Sequence, residues 1–416
     1  MTQPFATAVD AAGRALVDPN LYSNERRLHS GLAVLRSRAP VHWVEVDGYR
    51  PFWAVTRHSD VLHIERNHDL FHNAPRPILR TAAQDLLEQA DGGAFRTLVH
   101  MDDPDHSVFR AVGAAWFRSR SLQELRPRLA ELAKRYVDGM ADAEGGCDFV
   151  TDVAVRYPLY VILALLGLPE ADFGWVLKLT KELFGGEDPE FQRGSGASVH
   201  TTFVDLWRYF SDVIADRRAN PSGDLASEIA HAKVHGRPLT RSEMISYYIL
   251  VATAGHETTS SSMAGGLNAL IEYPDQLARL QDDRQLLTPA VEEMIRWVSP
   301  VKSFMRTATK DCQIRGIKIR AGEALLLSYP SANRDEDVFE SAFRFDVGRT
   351  PNRHLAFGFG AHYCMGASLA RLELGALFAE LIPRLKSIER SGEPECTSST
   401  FVGGLKHLPI RYVLRA

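Results

Sequence analysis

A cysteine at the end of a glycine-rich stretch is the first residue in this sequence that could do chemistry. Cys364 lies in the run FGFGAHYCMG over residues 357–366, and an amphipathic helix is predicted directly after it. Unpaired N–H groups and partial positive charge at a helix N-terminus stabilise a thiolate. The glycines let the backbone approach a flat, bulky group. A thiolate held in this way is a good axial ligand for haem iron.

Three other interpretations of Cys364 stay open on this loop alone. A lone cysteine beside a turn is most often a buried structural residue. A zinc site could use His354, His362 and Cys364, but a closed site needs a fourth ligand, and the sequence offers none at suitable spacing. A nucleophilic cysteine would need a histidine base, and no oxyanion-hole pattern accompanies this one.

A second candidate group, Glu257 and Thr258, lies in the middle of a largely apolar segment. Ala254 and Thr258 share one helix face, where a small residue admits a flat group, and the Thr258 hydroxyl could loosen the helix at a kink. A buried hydroxyl beside a carboxylate is a plausible proton relay. A capping or kink-forming threonine with a surface glutamate explains the same residues. The run also begins like the zinc motif H-E-x-x-H, but Ser260 replaces the second histidine.

The predicted elements place both groups on or beside helices in a mainly α fold. Thr240 and Glu243 form a capping box, which predicts that a long helix begins there and extends to about residue 270. Alternating apolar and polar residues around Asp47-Gly48 indicate a β-hairpin. Further predictions are a mobile segment over 75–93, a loop over 185–196, a strand–turn–strand unit over 314–329 and a helix over 367–385.

Composition limits the class of protein. The chain has 416 residues, 45% hydrophobic and 24% charged, with a net charge of −4. This balance fits an ordinary globular protein and excludes a strongly basic nucleic-acid binder. The four cysteines form no C-x-x-C pair, and the N-terminal segment contains no long apolar run. We therefore expect a soluble, cytoplasmic protein with free thiols, without a signal peptide or membrane anchor.

Taken together, these motifs resemble the cytochrome P450 family. The haem loop of that family has the pattern F-x-x-G-x-[H/R]-x-C-x-G, and its long helix carries [A/G]-G-x-[D/E]-T. The chain also contains E-x-x-R and a later arginine in the family's order and spacing, so the resemblance covers nearly the whole chain. The matching residues are Phe357, Gly360, His362, Cys364 and Gly366 in the loop, Ala254, Gly255, Glu257 and Thr258 in the helix, and Glu293, Arg296 and Arg349 elsewhere.

The resemblance implies one cytochrome P450 domain over residues 1–416, mainly α with small β-sheets, whose long central helix (about 241–270) lies over a haem. Cys364, in the haem-thiolate loop 357–366, would be the axial ligand of the iron of haem b, and Thr258 and Glu257 would deliver protons. The implied cofactor-binding residues are His106, Arg110, Ala254, Arg306, Phe357, His362, Cys364 and Gly366, and the implied structural cluster is Glu293, Arg296 and Arg349. Gly348 stands near the family's usual proline, so around it only Phe345 and Arg349 are carried over.

The same resemblance implies a monooxygenase that inserts one oxygen atom of O2 into a small hydrophobic substrate. The sequence is particularly similar to the branch that hydroxylates terpene alcohols, which points to a terpenoid or an alkylated aromatic. Alternatives are a fatty-acid or steroid hydroxylase of the same family, a peroxide-driven peroxygenase and a non-catalytic haem sensor. The pocket candidates are Leu250, Thr253, Ala254, Val301, Phe304, Phe401 and Val402.

The implied partners follow from what the chain lacks. No G-x-G-x-x-G run follows a predicted strand, so electrons must come from outside. We expect a ferredoxin with its NAD(P)H-dependent reductase as donor, no nucleic-acid or membrane partner, and a monomer. The candidate docking residues for the ferredoxin are Arg110, Arg118, Arg120 and Arg371.

Overall fold

Helices dominate the computed structural model, which describes residues 3–90, 95–143, 145–192 and 199–415. A π-helical turn over Val150–Ala154 and several short 3₁₀ turns connect some of the α-helices. The α-helices are α1 (Gln3–Arg14), α2 (Pro19–Tyr22), α3 (Glu25–Arg38), α4 (His58–Arg66), α5 (Ala82–Ala90), α6 (Asp105–Ala114), α7 (Ser119–Asp142), α8 (Arg156–Leu165), α9 (Phe173–Phe184), α10 (Val199–Ala219), α11 (Leu225–His231), α12 (Arg241–Glu272), α13 (Pro274–Asp282), α14 (Leu287–Val298), α15 (Tyr329–Ala332) and α16 (Ala367–Arg384).

The strands are short and form small sheets, as expected for a mainly α fold. The largest sheet has five strands, and the others have two or three. The strands are β1 (Val41–Val44), β2 (Phe52–Val55), β3 (Phe71–His72), β4 (Gly146–Asp148), β5 (Lys233–Val234), β6 (Arg237–Pro238), β7 (Ser303–Ala308), β8 (Cys312–Ile314), β9 (Ile317–Ile319), β10 (Ala324–Ser328), β11 (Leu385–Arg390), β12 (Glu395–Cys396), β13 (Leu405–His407) and β14 (Pro409–Leu414).

The five-stranded sheet positions two candidate site residues, Arg306 and Phe304. Its strand order is β1-β2-β10-β7-β3. β1 and β2 pair antiparallel, as the hairpin signal around Asp47-Gly48 predicts, and the buried strand β10 pairs parallel with β2 and antiparallel with β7. Arg306 of β7 lies opposite Leu325 of β10, near the centre of the sheet. The sheet therefore holds this arginine on a rigid, buried strand.

The long helix α12 is the scaffold of the largest hydrophobic core cluster. It begins as predicted, because the Thr240 hydroxyl accepts from the Glu243 N–H and the Glu243 carboxylate accepts from the Thr240 N–H. Neighbouring helices approach it closely: a Cβ atom on Gly255 would lie 2.4 Å from the Ile162 side chain of α8. Most of α12 is buried, which fixes its position against α8, α14 and α16. None of the helices in the described ranges has the length and apolar character needed to span a membrane.

Three expectations about the elements need correction. The segment 75–93 contains a helix, α5, because residues 82–90 carry no proline; residues 91–94 lie outside the described part of the chain. The unit over 314–329 holds an additional hairpin turn, in which Arg315 and Gly316 have positive φ between β8 and β9. Finally, α12 continues through Thr258 without a break.

Candidate active site

The cysteine loop keeps its shape through glycines and a backbone hydrogen bond. Gly358 and Gly360 have φ values of +66° and +72°, a conformation that favours glycine. A Cβ atom on Gly360 would lie 2.4 Å from the carbonyl oxygen of Glu65, so a larger residue would displace α4. The Cys364 N–H donates to the Phe357 carbonyl at 2.9 Å. The loop thus places Cys364 just before α16 begins.

The surroundings of Cys364 both desolvate and stabilise its sulfur. Its side chain has accessible surface although many protein atoms surround it. Burial raises the pKa of the thiol, whereas N–H groups of Gly366 and Ala367 and two nearby arginines lower it. The amide donors predicted from the helix N-terminus therefore point at the sulfur.

The two histidines predicted at the cofactor lie against each other. The ring centroids of His106 and His362 are 4.0 Å apart. Burial lowers the pKa of both, that of His362 to about 2, so both rings are neutral at neutral pH. His106 is 2% exposed, and its Nε2 has no hydrogen-bond partner among the described residues. A buried ring nitrogen without a partner is the atom that an additional polar group would satisfy.

The two arginines of the predicted set have more positive charge than their neighbours balance. Arg110 donates from Nη2 to the carbonyl of Tyr363 at 2.6 Å, and no carboxylate of the described residues lies within ion-pair distance of it. Arg306 is 3% exposed, and its Nη2 lies 3.5 Å from Oε1 of Glu65. With one acid for two arginines, this side of the loop suits an anionic group.

On α12, a hydroxyl and a small residue face the open side of the helix. Thr258 Oγ1 donates to the Ala254 carbonyl at 2.9 Å, and one turn later Ser262 Oγ donates to the Thr258 carbonyl at 2.9 Å. Ala254 is exposed although residues 251–253 immediately before it are buried. The structure therefore brings Ala254 and Thr258 to one face, as their spacing predicts.

Glu257 is half-buried, and one of its carboxyl oxygens, Oε2, is buried without a hydrogen-bond partner among the described residues. Its Oε2 lies 3.5 Å from Nδ1 of His256, and neither atom forms a hydrogen bond within the described ranges. Burial raises the pKa of Glu257, and the charge of Lys181 partly opposes the rise. Burial lowers the pKa of His256 to about 3, so this ring is neutral at neutral pH. Glu257 consequently has an oxygen that is available to bind a proton.

The predicted structural cluster comes together in full. Arg296 forms a two-pronged ion pair with Glu293, with both N···O distances at 2.7 Å. Arg349 reaches the same carboxylate from its Nε at 3.1 and 3.0 Å. Glu293 and Arg296 are fully buried, and Arg296 also donates to carbonyl oxygens of the segment that leads to Arg349. The cluster ties α14 to the chain that precedes the cysteine loop.

The pocket candidates lie on α12, on or just before β7, and between β12 and β13, and they differ in accessibility. The rings of Phe304 and Phe401 form an edge contact with centroids 5.3 Å apart. Thr253 and Val402 are 3% and 4% exposed and offer little accessible surface. The Thr253 hydroxyl donates to the Ile249 carbonyl at 2.6 Å. The remaining candidates, Leu250, Ala254 and Val301, are partly buried or exposed.

Sequence reasoning missed a second ion-pair cluster beside the loop. Glu292 accepts from Arg371 at 2.6 and 2.9 Å, and Nε2 of His354 lies 3.1 Å from it. The Arg371 guanidinium lies over the ring of Phe357. His354 is thus engaged with Glu292, and the described residues bring together no group of three His, Cys, Asp or Glu side chains that could hold a metal ion. The signal available in the sequence was Glu292, a second acid directly before Glu293.

These residues fit a haem. The accessible sulfur of Cys364 has N–H donors behind it, which suits an anionic axial ligand. His106 has an unsatisfied buried nitrogen, and Arg110 has no acid partner in the described residues, which suits the two carboxylates of the cofactor. Ala254 leaves room on the opposite helix.

Comparison with known proteins gives the same class. The family model described as cytochrome P450 matches residues 209–413. Cytochrome P450-terp of a Pseudomonas species is 39% identical over 98% of this chain and 98% of its own length. The chain therefore belongs to the cytochrome P450 family of haem monooxygenases.

More distant relatives agree. The steroid C26-monooxygenase of Mycolicibacterium smegmatis is 33% identical over 92% of this chain and 90% of its own length. The solved structure of Mycobacterium marinum cytochrome P450 CYP268A2 in complex with pseudoionone superimposes with a TM-score of 0.89 at 32% identity, covering 94% of this chain and 97% of that one. The mainly α fold with small sheets, predicted from sequence, is confirmed.

Proposed function

We propose that this monooxygenase hydroxylates a small apolar substrate, a terpenoid or an alkylated aromatic. The observation that carries the proposal is the Phe304–Phe401 edge contact, an aromatic pair among the pocket candidates, together with a candidate hydroxyl on α12 that is already used. Because the Thr253 hydroxyl donates to the Ile249 carbonyl, it is not free to bind a polar substrate. Similarity to cytochrome P450-terp and to a structure containing pseudoionone supports the terpenoid class.

In this proposal, side chains on both sides of the site hold the cofactor, haem b. Cys364 binds the iron through Sγ, and Phe357 and Gly366 shape the loop around it. His106, Arg110, Arg306 and His362 bind the carboxylates, and Ala254 leaves space for the ring. When bound, the haem supplies the centre at which O2 is reduced and one oxygen atom enters a C–H bond.

Proton delivery is assigned to the pair on α12. Glu257 holds a proton at Oε2, the atom without a hydrogen-bond partner among the described residues. Thr258 carries a hydroxyl at the open face of the helix, where its Oγ1 exchanges the bond to the Ala254 carbonyl for one to a bound ligand. A neutral acid next to a hydroxyl is suited to pass protons from outside to a reacting oxygen.

The proposed electron donor is a ferredoxin that docks on the side of the cysteine loop. Arg118 is exposed and available to an acidic partner. Arg371 is paired with Glu292, and Arg110 contacts the Tyr363 carbonyl, so both contribute less than their charge suggests. The side chain of Arg120 lies outside the described residues. The proposed enzyme is a monomer, as expected from the sequence.

An optical titration tests the substrate class. The purified ferric protein is titrated with terpenoids, alkylbenzenes, fatty acids and steroids, and a reduced-carbonyl spectrum serves as the control for thiolate ligation. We expect a thiolate-type carbonyl band and a low- to high-spin shift with terpenoids or alkylbenzenes. A shift only with steroids or fatty acids would overturn the substrate class, and no thiolate-type band would overturn the assignment of Cys364.

A further inference from the structure

Glu65 is a buried carboxylate that the proposed function does not use. It lies near the end of α4 and is 3% exposed, and its Oε2 has no side-chain or backbone hydrogen bond recorded among the described residues. Its Oε1 accepts a hydrogen bond from Tyr329 Oη at 2.6 Å and lies 3.5 Å from Nη2 of Arg306. One carboxylate therefore joins α4, α15 and β7.

The same residue supports the cysteine loop. The Glu65 carbonyl excludes any side chain at position 360, and a Cβ atom on Gly358 would lie 3.2 Å from Glu65 Oε1. The N–H of Phe359 faces the carboxyl and lowers its pKa. Main chain and side chain of Glu65 thus both pack against the loop that carries Cys364.

The guanidinium of Arg306 has a defined orientation because its two terminal nitrogens have different partners. Nη1 donates to the Met305 carbonyl at 2.9 Å, and Nη2 faces Glu65. A guanidinium is planar and has five N–H donors, so an acceptor on one edge fixes the plane and leaves donors for a second anion. Glu65 is therefore placed to determine where Arg306 points.

We propose that Glu65 is a positioning residue that orients Arg306 toward the carboxylates of the haem and binds a proton when the haem iron is reduced. The inference rests on the proposed cofactor site. The iron takes up one electron from its external reductant, and Glu65 takes up one proton from solvent, so the added charge is balanced. Nothing in the proposed hydroxylation requires this residue.

The groups around Glu65 determine the pH range of the effect. Burial raises the pKa of Glu65 to about 7, although Arg306 and Tyr329 lower it. Burial holds the pKa of Tyr329 well above its ordinary value, and burial lowers the pKa of His362 to about 2 and that of His106 below its ordinary value. Arginines keep their charge throughout. Among these groups, Glu65 is thus the one whose charge changes near neutrality, and its ionised form opposes reduction.

The midpoint potential of the haem, measured from about pH 6 to about pH 8 in the holoenzyme, tests the proton-binding role. The potential of the unaltered enzyme should fall as pH rises, since ionised Glu65 disfavours the reduced iron. The potential of Glu65→Gln should be flat over this range and no lower than the acidic value of the unaltered enzyme. Asp60→Asn is the matched control: this buried acid on α4 pairs with Arg315 instead, and its variant should keep the slope.

Haem transfer to apomyoglobin tests the orienting role. Glu65→Ala should lose haem about tenfold faster, the size expected for a lost hydrogen bond to a charged group, whereas Asp60→Asn should not. If Glu65→Ala does not fold, the midpoint potential of Glu65→Gln still tests the inference. An unchanged slope in Glu65→Gln overturns the inference while the cofactor site stands. A purified chain that binds no haem overturns the cofactor site itself, which separates the two failures.

Discussion

Two glutamates in different regions of this protein have buried carboxyl oxygens, and these oxygens differ in their hydrogen bonding. Glu293 on α14 accepts hydrogen bonds from Arg296 and Arg349, and also from a backbone N–H and an asparagine amide. Glu257 on α12 has a buried oxygen without a hydrogen-bond partner in the described residues, and this oxygen lies 3.5 Å from Nδ1 of His256. The Glu293 side chain is fully buried and that of Glu257 is 18% exposed, so the glutamate with more solvent nearby is the one that keeps an unpaired buried oxygen.

This difference distinguishes a carboxylate with a structural role from one that can bind and release a proton. A carboxylate with all its oxygens occupied holds several segments in place, and removing it leaves buried cations unpaired. A buried carboxyl with a free oxygen costs stability, but it keeps the ability to bind and release a proton. We therefore expect the two glutamates to respond to substitution in opposite directions.

The largest effect is expected at the paired glutamate. Glu293→Ala leaves Arg296 buried without its acid, and we expect a loss of about 3–5 kcal/mol in the free energy of unfolding. Urea denaturation of the haem-loaded protein measures it. Glu292→Ala is the matched control, because this neighbouring acid is 23% exposed and the side chain of its partner Arg371 is 33% exposed, although its second partner, His354, is buried. Equal losses in the two variants would contradict the distinction.

Substitution of Glu257, the glutamate with an unpaired oxygen, should instead reduce activity and increase stability at neutral pH. Glu257→Gln is expected to slow turnover by about 10²-fold, the lower range for a lost proton-transfer group. Because burial raises the pKa of Glu257, its ionisation costs stability once the pH exceeds the ordinary value of 4.5. The variant should therefore be more stable than the parent at neutral pH, and this advantage should disappear in acid. Steady-state turnover and thermal denaturation at several pH values check both parts; a variant less stable at neutral pH would refute the second.

The elements around these residues were predictable where local signals are strong. The capping box at Thr240 gave the start of α12 correctly, and the apolar run that follows gave its length to within a few residues. Helix α5 was missed because prolines and glycines flank it, although residues 82–90 are mostly strong helix formers. The absence of a kink at Thr258 has a different cause: the hydroxyl bonds within its own turn, and neighbouring helices hold α12 continuous.

The site residues also fall into those that local motifs reveal and those that only the fold brings together. Cys364, Glu257 and Thr258 lie in contiguous motifs, so their types and spacing could be read directly. Glu65 and Tyr329 are 264 positions apart in sequence and meet only because α4 and α15 pack together. No spacing rule connects such residues, so sequence reasoning could not find them without a resemblance that already contained them.

A smaller effect is expected when the Thr258 hydroxyl, next to Glu257 on α12, is removed. Thr258→Ala removes the hydroxyl at the open face, so protons should arrive too slowly and a several-fold larger share of electrons should leave as hydrogen peroxide. Ser262→Ala is the matched control, since Ser262 makes the same type of bond to a carbonyl one turn away. Peroxide release per NAD(P)H consumed, with the redox partners supplied, measures the difference. The relay is refuted if Thr258→Ala stays fully coupled, and a peroxygenase would show no such dependence.

The smallest effect concerns a charge that is neither buried nor paired in a cluster. Arg118 is exposed at the start of α7, so its contribution to docking a ferredoxin is screened by water and salt. Arg118→Glu should slow association by less than about fivefold, because exposed pairs are worth under about 1 kcal/mol, and it should weaken the dependence of the rate on salt. Arg320→Glu, an equally exposed change on another surface, should leave association unaltered. Stopped-flow reduction at low and high salt compares them, and identical behaviour of the two variants would place the docking surface away from α7. A clear effect at Arg118, with stability unchanged, would show that exposed charge sets the rate of encounter while the buried glutamates set stability and proton transfer.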